Sequence, residues 1–179
     1  TWDGCAEPLL QGWRIRDGVG QHQFWDQFVA PRLDGRTRTF VIISDAFRYE
    51  AAQELTVELN GKYRLQAELG SCLGVLPSIT SLGMASLLPH QTMTLGEDGN
   101  PMLDGQPAGS MEQRAKLLQA QGGLACKAED LLAMKQEEGR AFVDGAKVIY
   151  IYHDHVDATG DKSSSEGETF RPVRESVQD

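Results

Sequence analysis

The sequence predicts an α/β fold in which a mostly parallel sheet is flanked by helices. Two segments, residues 39–44 and 147–152, are short, apolar and rich in β-branched or aromatic residues, as buried strands are. Helix-like segments lie between and after them, and alternation of strands with helices is typical of parallel sheets. A length of 179 residues with a hydrophobic fraction of 40% is sufficient for one domain with a substantial core.

The net charge and the cysteine spacing of the chain disfavour several classes of protein. The net charge is −9, so the chain as a whole lacks the basic footprint of a nucleic-acid-binding domain. The three cysteines show no Cys-x-x-Cys spacing, which disfavours a thiolate zinc site and indicates reduced thiols in a cytoplasmic protein. No apolar run approaches the roughly 18 residues of a membrane span, so we expect no membrane partner.

Residues 1–36 predict a helical segment docked on a main domain formed by residues 37–179. Phe24, Trp25 and Phe28 recur at helical spacing before a proline. The chain lacks an initiator methionine and ends within or just after a predicted helix. We therefore expect a truncated domain, that is, a piece of a longer protein.

The segment after the first strand predicts a helix, a strand and a loop. Residues 49–60 carry an apolar side at helical spacing, and Gly61 is a plausible stop. Residues 64–69 alternate polar and apolar side chains, which predicts a strand. Residues 70–78 have the glycine and proline content of a loop.

The middle of the chain predicts a hairpin between helices. Residues 80–88 form a short helical pattern, and two turn signals containing Asp-Gly predict a β-hairpin insertion over residues 91–109. Residues 110–121 begin like a helix with a capping box. Three further predicted segments are a helix over 129–142, a polar loop over 162–168 and a helix over 169–177.

Acidic residues follow both apolar strands. Asp45 comes directly after the first strand, whereas Asp154, Asp157 and Asp161 follow the second. Carboxyl ends of parallel strands meet at one sheet edge, where α/β proteins bind ligands. Converging carboxylates need protons or a cation, and a divalent metal is the usual solution. The alternative is that each acid caps a following helix or turn, although the spacing of the last two also fits an open metal loop.

Small hydroxyl residues precede the short helix at residues 80–88. A hydroxyl at that place is ordinarily an N-cap. The same place suits an anion, because free N–H groups and the helix dipole favour negative charge. A hydroxyl held there beside a metal would also be suited to attack on phosphorus.

Three motifs, at residues 45–50, 76–90 and 150–161, together resemble the PglZ family. This family comprises the phosphatase-like proteins of bacteriophage-exclusion (BREX) defence systems, here in the type A form, and belongs to the alkaline phosphatase superfamily. The resemblance covers about residues 39–170 and implies that residues 37–179 form the N-terminal portion of an alkaline-phosphatase-like domain.

The resemblance implies roles for individual residues. Asp45 matches a metal ligand, and counting back from Ser86-Leu87-Leu88 places Thr80 at the nucleophile. Asp157 and Asp161 match a metal-binding Asp-x-x-Gly-His motif in which Asp161 replaces the histidine. The implied cofactors are divalent zinc, manganese or magnesium ions, two in the full-length protein, and the extra carboxylate favours manganese or magnesium.

The chain departs from the superfamily pattern in one respect. The expected later Asp-His-Gly motif and a further histidine do not occur before Asp179, and Asp154-His155 lies in the wrong order. We therefore expect this piece to be an incomplete and inactive catalytic domain.

Two interpretations stay open for each of three basic side chains. Arg48 either contacts a substrate phosphate or pairs with Glu50 or Glu54 on the helix surface. His153 and His155 are either hydrogen-bonded residues at a strand end or supporting ligands of the site.

The function implied by the resemblance is metal-dependent hydrolysis of phosphate mono- or diesters by the full-length protein. DNA is a variant substrate that needs basic surface outside this acidic piece, and the implied partners are other BREX proteins. The alternative is a non-catalytic, phosphatase-like scaffold within a defence complex. A phosphomutase shares the motifs, but its usual insertion between them is not evident.

Overall fold

The protein is described by a computed structural model at residues 4, 5, 7, 8, 18–62 and 65–160. The strands of this part are β1 (Thr39–Ser44), β2 (Met93–Leu95), β3 (Pro101–Leu103), β4 (Gln106–Pro107), β5 (Gly123–Lys127) and β6 (Val148–His153). Its helices are α1 (Tyr49–Lys62), α2 (Thr80–Ser86), α3 (Met111–Gln119), α4 (Ala128–Ala133), α5 (Gln136–Phe142) and α6 (His155–Gly160). The strands form a parallel sheet in the order β1-β6-β5 and a small antiparallel sheet in the order β2-β3-β4. The predicted α/β class is confirmed.

Strand β6 is central in the parallel sheet because its residues are apolar on both faces. Residues 148–152 are all buried, as expected for a parallel strand covered on both sides. Strand β1 pairs with it in parallel, with Ser44 opposite His153. Both predicted strands are confirmed, and their carboxyl ends lie side by side; the expected burial holds for β6, whereas in β1 only Val41 is buried because β1 lies at the edge of the sheet.

The two faces of β6 pack against different parts of the chain. Tyr150 and Tyr152 face a core that includes Trp25 and Val29 from the N-terminal segment. The rings of Trp25 and Tyr150 stack with centroids 6.5 Å apart. Ile149 and Ile151 face a second core against α4 and α5, which includes Cys126 and Val143. The division of the chain at residues 36 and 37 stays a prediction.

The N-terminal helical segment is irregular. It comprises a 3₁₀ turn at Gln21–Gln23, a π-helical turn at Trp25–Val29 and a second 3₁₀ turn at Ala30–Arg32. Pro31 was expected to end the helical pattern, but it lies inside the last turn, where its missing N–H costs no hydrogen bond.

The predicted hairpin and the capped helix are confirmed. Strands β2 and β3 pair antiparallel with Met93 opposite Leu103, and β4 adds a third short strand. The Ser110 hydroxyl accepts a hydrogen bond from the Gln113 N–H at 3.3 Å. The Gln113 side chain in turn accepts one from the Ser110 N–H at 3.0 Å, which completes a capping box before α3.

The strand predicted over residues 64–69 is wrong: residues 65–69 have no regular structure, and Arg64 lies outside the described residues. The chain folds back on the end of α1 instead. The Asn60 side chain accepts from the Ala67 N–H at 2.8 Å and donates to its carbonyl at 2.9 Å. These bonds satisfy the backbone that a sheet would otherwise pair.

Two further differences from the sequence predictions concern β5 and the helical region after it. Strand β5 was not predicted, and it pairs with β6. A Cβ on Gly123 would lie 2.8 Å from Val148 Cγ1, so the close approach of these two strands requires glycine. The helix predicted over residues 129–142 is two helices, α4 and α5. Met134 and Lys135 are extended between them, and the Lys135 N–H donates to the Glu138 carboxylate at 3.0 Å.

Helix α1 continues through Gly61, which was expected to stop it. The loop and helix predicted over 162–168 and 169–177 lie outside the described residues. Within the described ranges, no helix combines the length and the apolar character needed to cross a membrane.

Candidate functional site

An open cleft of about 480 Å³ runs between strand β1 and helix α2. Its polar lining comes from both walls: Gln21, Ser44, Asp45, Cys72 and Thr80. Its apolar lining consists of Phe24, Val41, Ile42, Ile43, Phe47, Met84 and Leu87. The cleft therefore brings together Asp45 and Thr80, which the sequence analysis singled out from separate motifs.

Asp45 is placed by the end of the β1–β6 ladder. Its N–H donates to the His153 carbonyl at 2.9 Å, so the parallel pairing continues one residue past β1. The next residue, Ala46, has a φ of 58°, and its N–H donates to the Asp45 carboxylate at 3.0 Å. A positive φ at a residue other than glycine is uncommon and is found preferentially at functional sites.

Asp45 lies in an unfavourable environment for a negative charge. Partial burial raises its pKa above the ordinary value, and the nearby charges of Asp157 and Asp154 raise it further, against a lowering by the Ala46 N–H. Asp157 and Asp154 are thus near enough to repel the Asp45 carboxylate. A bound cation would relieve this repulsion.

Asp157 lies in the first turn of helix α6, which begins directly after β6. Of the two alternatives given for the acids after β6, the open metal loop is wrong up to residue 160: the chain is helical there, and Val156 packs with Ala51 and Phe47. Asp161 lies outside the described residues. In the described part of the chain, no three histidine, cysteine or acidic side chains are grouped closely enough to hold a metal together.

Ser44 and His153 join the two strand ends. The Ser44 hydroxyl and His153 Nδ1 are 3.0 Å apart in a partly buried position. The rings of His153 and His155 have centroids 6.1 Å apart. His153 is therefore a hydrogen-bonded residue at a strand end, whereas His155 begins α6; neither lines the cleft.

Thr80 is the first residue of α2 and has an exposed side chain that lines the cleft. The N-cap position is occupied by Ile79, and no side chain caps the helix. The ordinary capping role therefore does not apply to Thr80, which lines the cleft instead.

Helix α2 receives two side-chain hydrogen bonds from other elements, and a third lies within the helix. The Gln21 amide donates to the Gly83 carbonyl at 2.9 Å, and the Ser86 hydroxyl donates to the same carbonyl at 2.7 Å. At the far end, the Tyr150 hydroxyl donates to the Leu87 carbonyl at 2.7 Å. Neither Gln21 nor Ser44 was predicted from the sequence, although the position of Ser44 next to Asp45 was an available signal.

Arg48 is exposed and precedes α1, where its carbonyl accepts from the Ala52 N–H at 3.0 Å. Among the described residues, neither Arg48 nor Asp157 belongs to the lining of the cleft. The role of Arg48 stays a prediction.

Comparison with known proteins supports the resemblance found in the sequence. Residues 24–179 match the family model described as the BREX system PglZ alkaline phosphatase-like domain. The chain is 42% identical over 176 residues to an alkaline phosphatase-like protein BrxZ of Escherichia coli O9:H4 (strain HS). It is 40% identical over 169 residues to an alkaline phosphatase-like protein PglZ of Bacillus cereus (strain H3081.97).

These alignments cover 96% and 93% of this chain but 20% of each relative. The chain thus spans about a fifth of the length of the curated relatives it matches. The family match extends over most of the chain and includes β1, α2 and β6, the elements that form the cleft and the strand ends beside it. The chain belongs to the PglZ family of alkaline phosphatase-like domains of BREX systems.

Proposed function

We propose that the cleft is part of a site for metal-dependent hydrolysis of phosphate esters in the longer protein. Thr80 is the nucleophile, and Asp45, Asp157 and Asp161 are metal ligands. The observation that carries the proposal is the meeting of Asp45 and Thr80 in one cleft, from opposite walls and from separate motifs.

The acidic side chains are suited to a divalent cation by their chemistry. Partial burial raises the pKa of Asp45, and the nearby charges of Asp157 and Asp154 raise it further, so a cation beside Asp45 would be stabilising. Carboxylate oxygens are ligands that magnesium and manganese prefer. A metal bound there would lower the pKa of a neighbouring hydroxyl and stabilise charge on the phosphoryl oxygens.

In the proposed reaction, Thr80 attacks phosphorus and water transfers the protons. Thr80 Oγ forms a bond to phosphorus as the bond to the leaving oxygen breaks, the hydroxyl proton passes to water, and the leaving group takes a proton from water. Water then hydrolyses the phosphothreonine and restores the hydroxyl. Arg48 would contact the phosphate through its guanidinium fork if it turns towards the cleft.

The substrate class is a phosphate mono- or diester. A DNA substrate would require basic surface elsewhere, because this chain has a net charge of −9. The relevant partners would be other proteins of the same BREX system.

Replacement of Thr80 in the longer protein tests the nucleophile. With a chromogenic phosphodiester and manganese, Thr80→Ala should lower kcat by at least about 10²-fold, whereas Thr80→Ser should retain part of the activity. Ser78→Ala is the matched control, because Ser78 is an exposed hydroxyl two residues away that does not line the cleft. Unchanged turnover in Thr80→Ala would refute the assignment.

Metal binding distinguishes the enzyme from the alternative scaffold. Titration calorimetry with manganese should show stoichiometric binding to the longer protein and weaker binding to Asp45→Asn. A longer protein that binds no metal, and in which Asp45→Asn leaves phage defence intact, would favour the scaffold.

A further inference from the structure

We propose that Gln21 is a positioning residue that fixes Thr80 relative to Asp45. The proposal rests on the proposed function of Thr80. Gln21 lies before residues 24–179, which match the family, and it comes from the irregular N-terminal segment rather than from the sheet.

Both ends of the Gln21 amide are engaged. Its oxygen accepts from the Val75 N–H at 3.3 Å, and its nitrogen donates to the Gly83 carbonyl at 2.9 Å. The side chain therefore links the loop that precedes α2 to the helix itself. It also lines the cleft together with Thr80.

The Gly83 carbonyl accepts from the Ser86 hydroxyl and can also accept from Gln21, because α2 is short. The Leu87 N–H, which would bond to it in a longer helix, donates to the Met84 carbonyl at 3.4 Å. Gly83 follows Thr80 by three residues and so lies on the same side of the helix. A pull on the Gly83 carbonyl consequently orients the face that carries Thr80.

The backbone of Gln21 is itself anchored. Its N–H donates to the Leu73 carbonyl at 2.7 Å, and the Leu73 N–H donates to the Val19 carbonyl at 2.8 Å. Residues 65–79 otherwise have no regular structure apart from the bridge between Gly20 and Leu73. Gln21 thus supplies the connection that a strand or helix would normally give this wall of the cleft.

Loss of this connection should affect the orientation of the nucleophile more than substrate affinity. Displacement of a reacting group by about 1 Å can cost on the order of 100-fold in rate. We expect Gln21→Met, which has similar volume but no amide, to lower kcat of the longer protein by about 10- to 100-fold. The KM should change by less than about twofold, because this change removes no group that binds substrate.

Two further variants give the experiment its specificity. Gln21→Glu keeps an acceptor for the Val75 N–H but cannot donate to the Gly83 carbonyl when ionised, so its kcat should be intermediate. Gln53→Met is the control, because Gln53 is exposed on α1 and should leave kcat unchanged.

Amide hydrogen exchange on the same proteins tests the two hydrogen bonds of the Gln21 amide, here called the clamp, separately from catalysis. Exchange of the Val75 N–H should accelerate by at least about tenfold in Gln21→Met and less in Gln21→Glu. Unchanged exchange at Val75 in Gln21→Met, or accelerated exchange with an unchanged kcat, would overturn the inference. Accelerated exchange in a longer protein that lacks hydrolase activity would support the clamp and refute only the proposed function.

Discussion

The two walls of the cleft, strand β1 and helix α2, are held in place by different interactions. The strand wall, β1 with Asp45 at its end, is fixed by a parallel ladder to β6, whose residues 148–152 are all buried. The helix wall, α2 with Thr80, is a seven-residue helix that packs Ala85 into the core and receives side-chain hydrogen bonds from Gln21 and Tyr150. The comparison teaches that backbone pairing places the acid, whereas side-chain packing and two hydrogen bonds place the helix that carries the hydroxyl.

The two walls also differ in the charge of their side chains. The strand wall carries the carboxylate of Asp45, whose pKa is raised first by partial burial and then by the nearby charges of Asp157 and Asp154. The helix wall lines the cleft with the neutral side chain of Thr80, and the neighbouring side chains of Gln21 and Cys72 are also neutral.

Truncation in the central strand should give the largest effect and tests the basis of the strand wall. Ile149 is fully buried against Cys126 and Val143, so Ile149→Ala should lower the free energy of unfolding by about 2–5 kcal/mol. Urea denaturation followed by circular dichroism measures the change.

The matched control for Ile149→Ala lies on the same face of the same sheet. Ile42 on β1 is 68% exposed, so Ile42→Ala should cost about 0.5 kcal/mol or less. Equal losses for the two variants would mean that β1 is as well covered as β6, and the stated basis of the strand wall would be wrong.

The connection between the two walls should have an intermediate effect. Burial raises the pKa of Tyr150, so its hydroxyl stays protonated and donates to the Leu87 carbonyl. Tyr150→Phe removes that donor and should cost about 1 kcal/mol in the free energy of unfolding. Tyr49→Phe should cost nothing measurable, because Tyr49 is 61% exposed.

Amide exchange in the Tyr150→Phe variant also shows whether the loss of stability is confined to the helix wall. Amide exchange at residues 84–88 should accelerate, whereas exchange in β1 should stay as in the wild type. Acceleration in both regions would show that the two walls are not held independently.

The strand wall could be predicted from the sequence because buried parallel strands are continuous apolar segments. That pattern located β1 and β6, and the position of Asp45 follows from it. Strand β5 was missed, since it has five residues, begins at Gly123 and ends at Lys127, and so lacks a strong pattern. The alternating residues 65–69 misled because the Asn60 side chain satisfies the backbone N–H and carbonyl of Ala67 locally, without a neighbouring strand.

The helix wall could be predicted only in part. Hydroxyl residues before an apolar pattern marked α2, and the family resemblance selected Thr80. The contacts that hold α2 could not be found in this way, because Gln21 bonds to residues 54 and 62 positions away. Contacts of that range depend on the completed fold and leave no local pattern.

The smallest expected effect concerns the charge on the strand wall, measured with a chelator present. The raised pKa of Asp45 means that the folded protein favours the neutral carboxyl. Its stability should therefore fall as the pH rises from below 3.8, the ordinary value, through the folded pKa. Asp45→Asn stays neutral and should be more stable than the wild type at pH 7, by about 0.5 kcal/mol or less because solvent screens the charges.

Asp98 in the hairpin supplies a control of opposite sign. Hydrogen bonds from Asn100 lower the pKa of Asp98, so its carboxylate stabilises the folded protein above pH 3.8 and this contribution is lost as the pH falls. Asp98→Asn should therefore be less stable than the wild type at pH 7. Urea denaturation between pH 3 and 7 should show the two difference curves diverging in opposite directions. If Asp45→Asn instead destabilised the metal-free protein at pH 7, the carboxylates would not repel one another, and the electrostatic contrast between the walls would be lost.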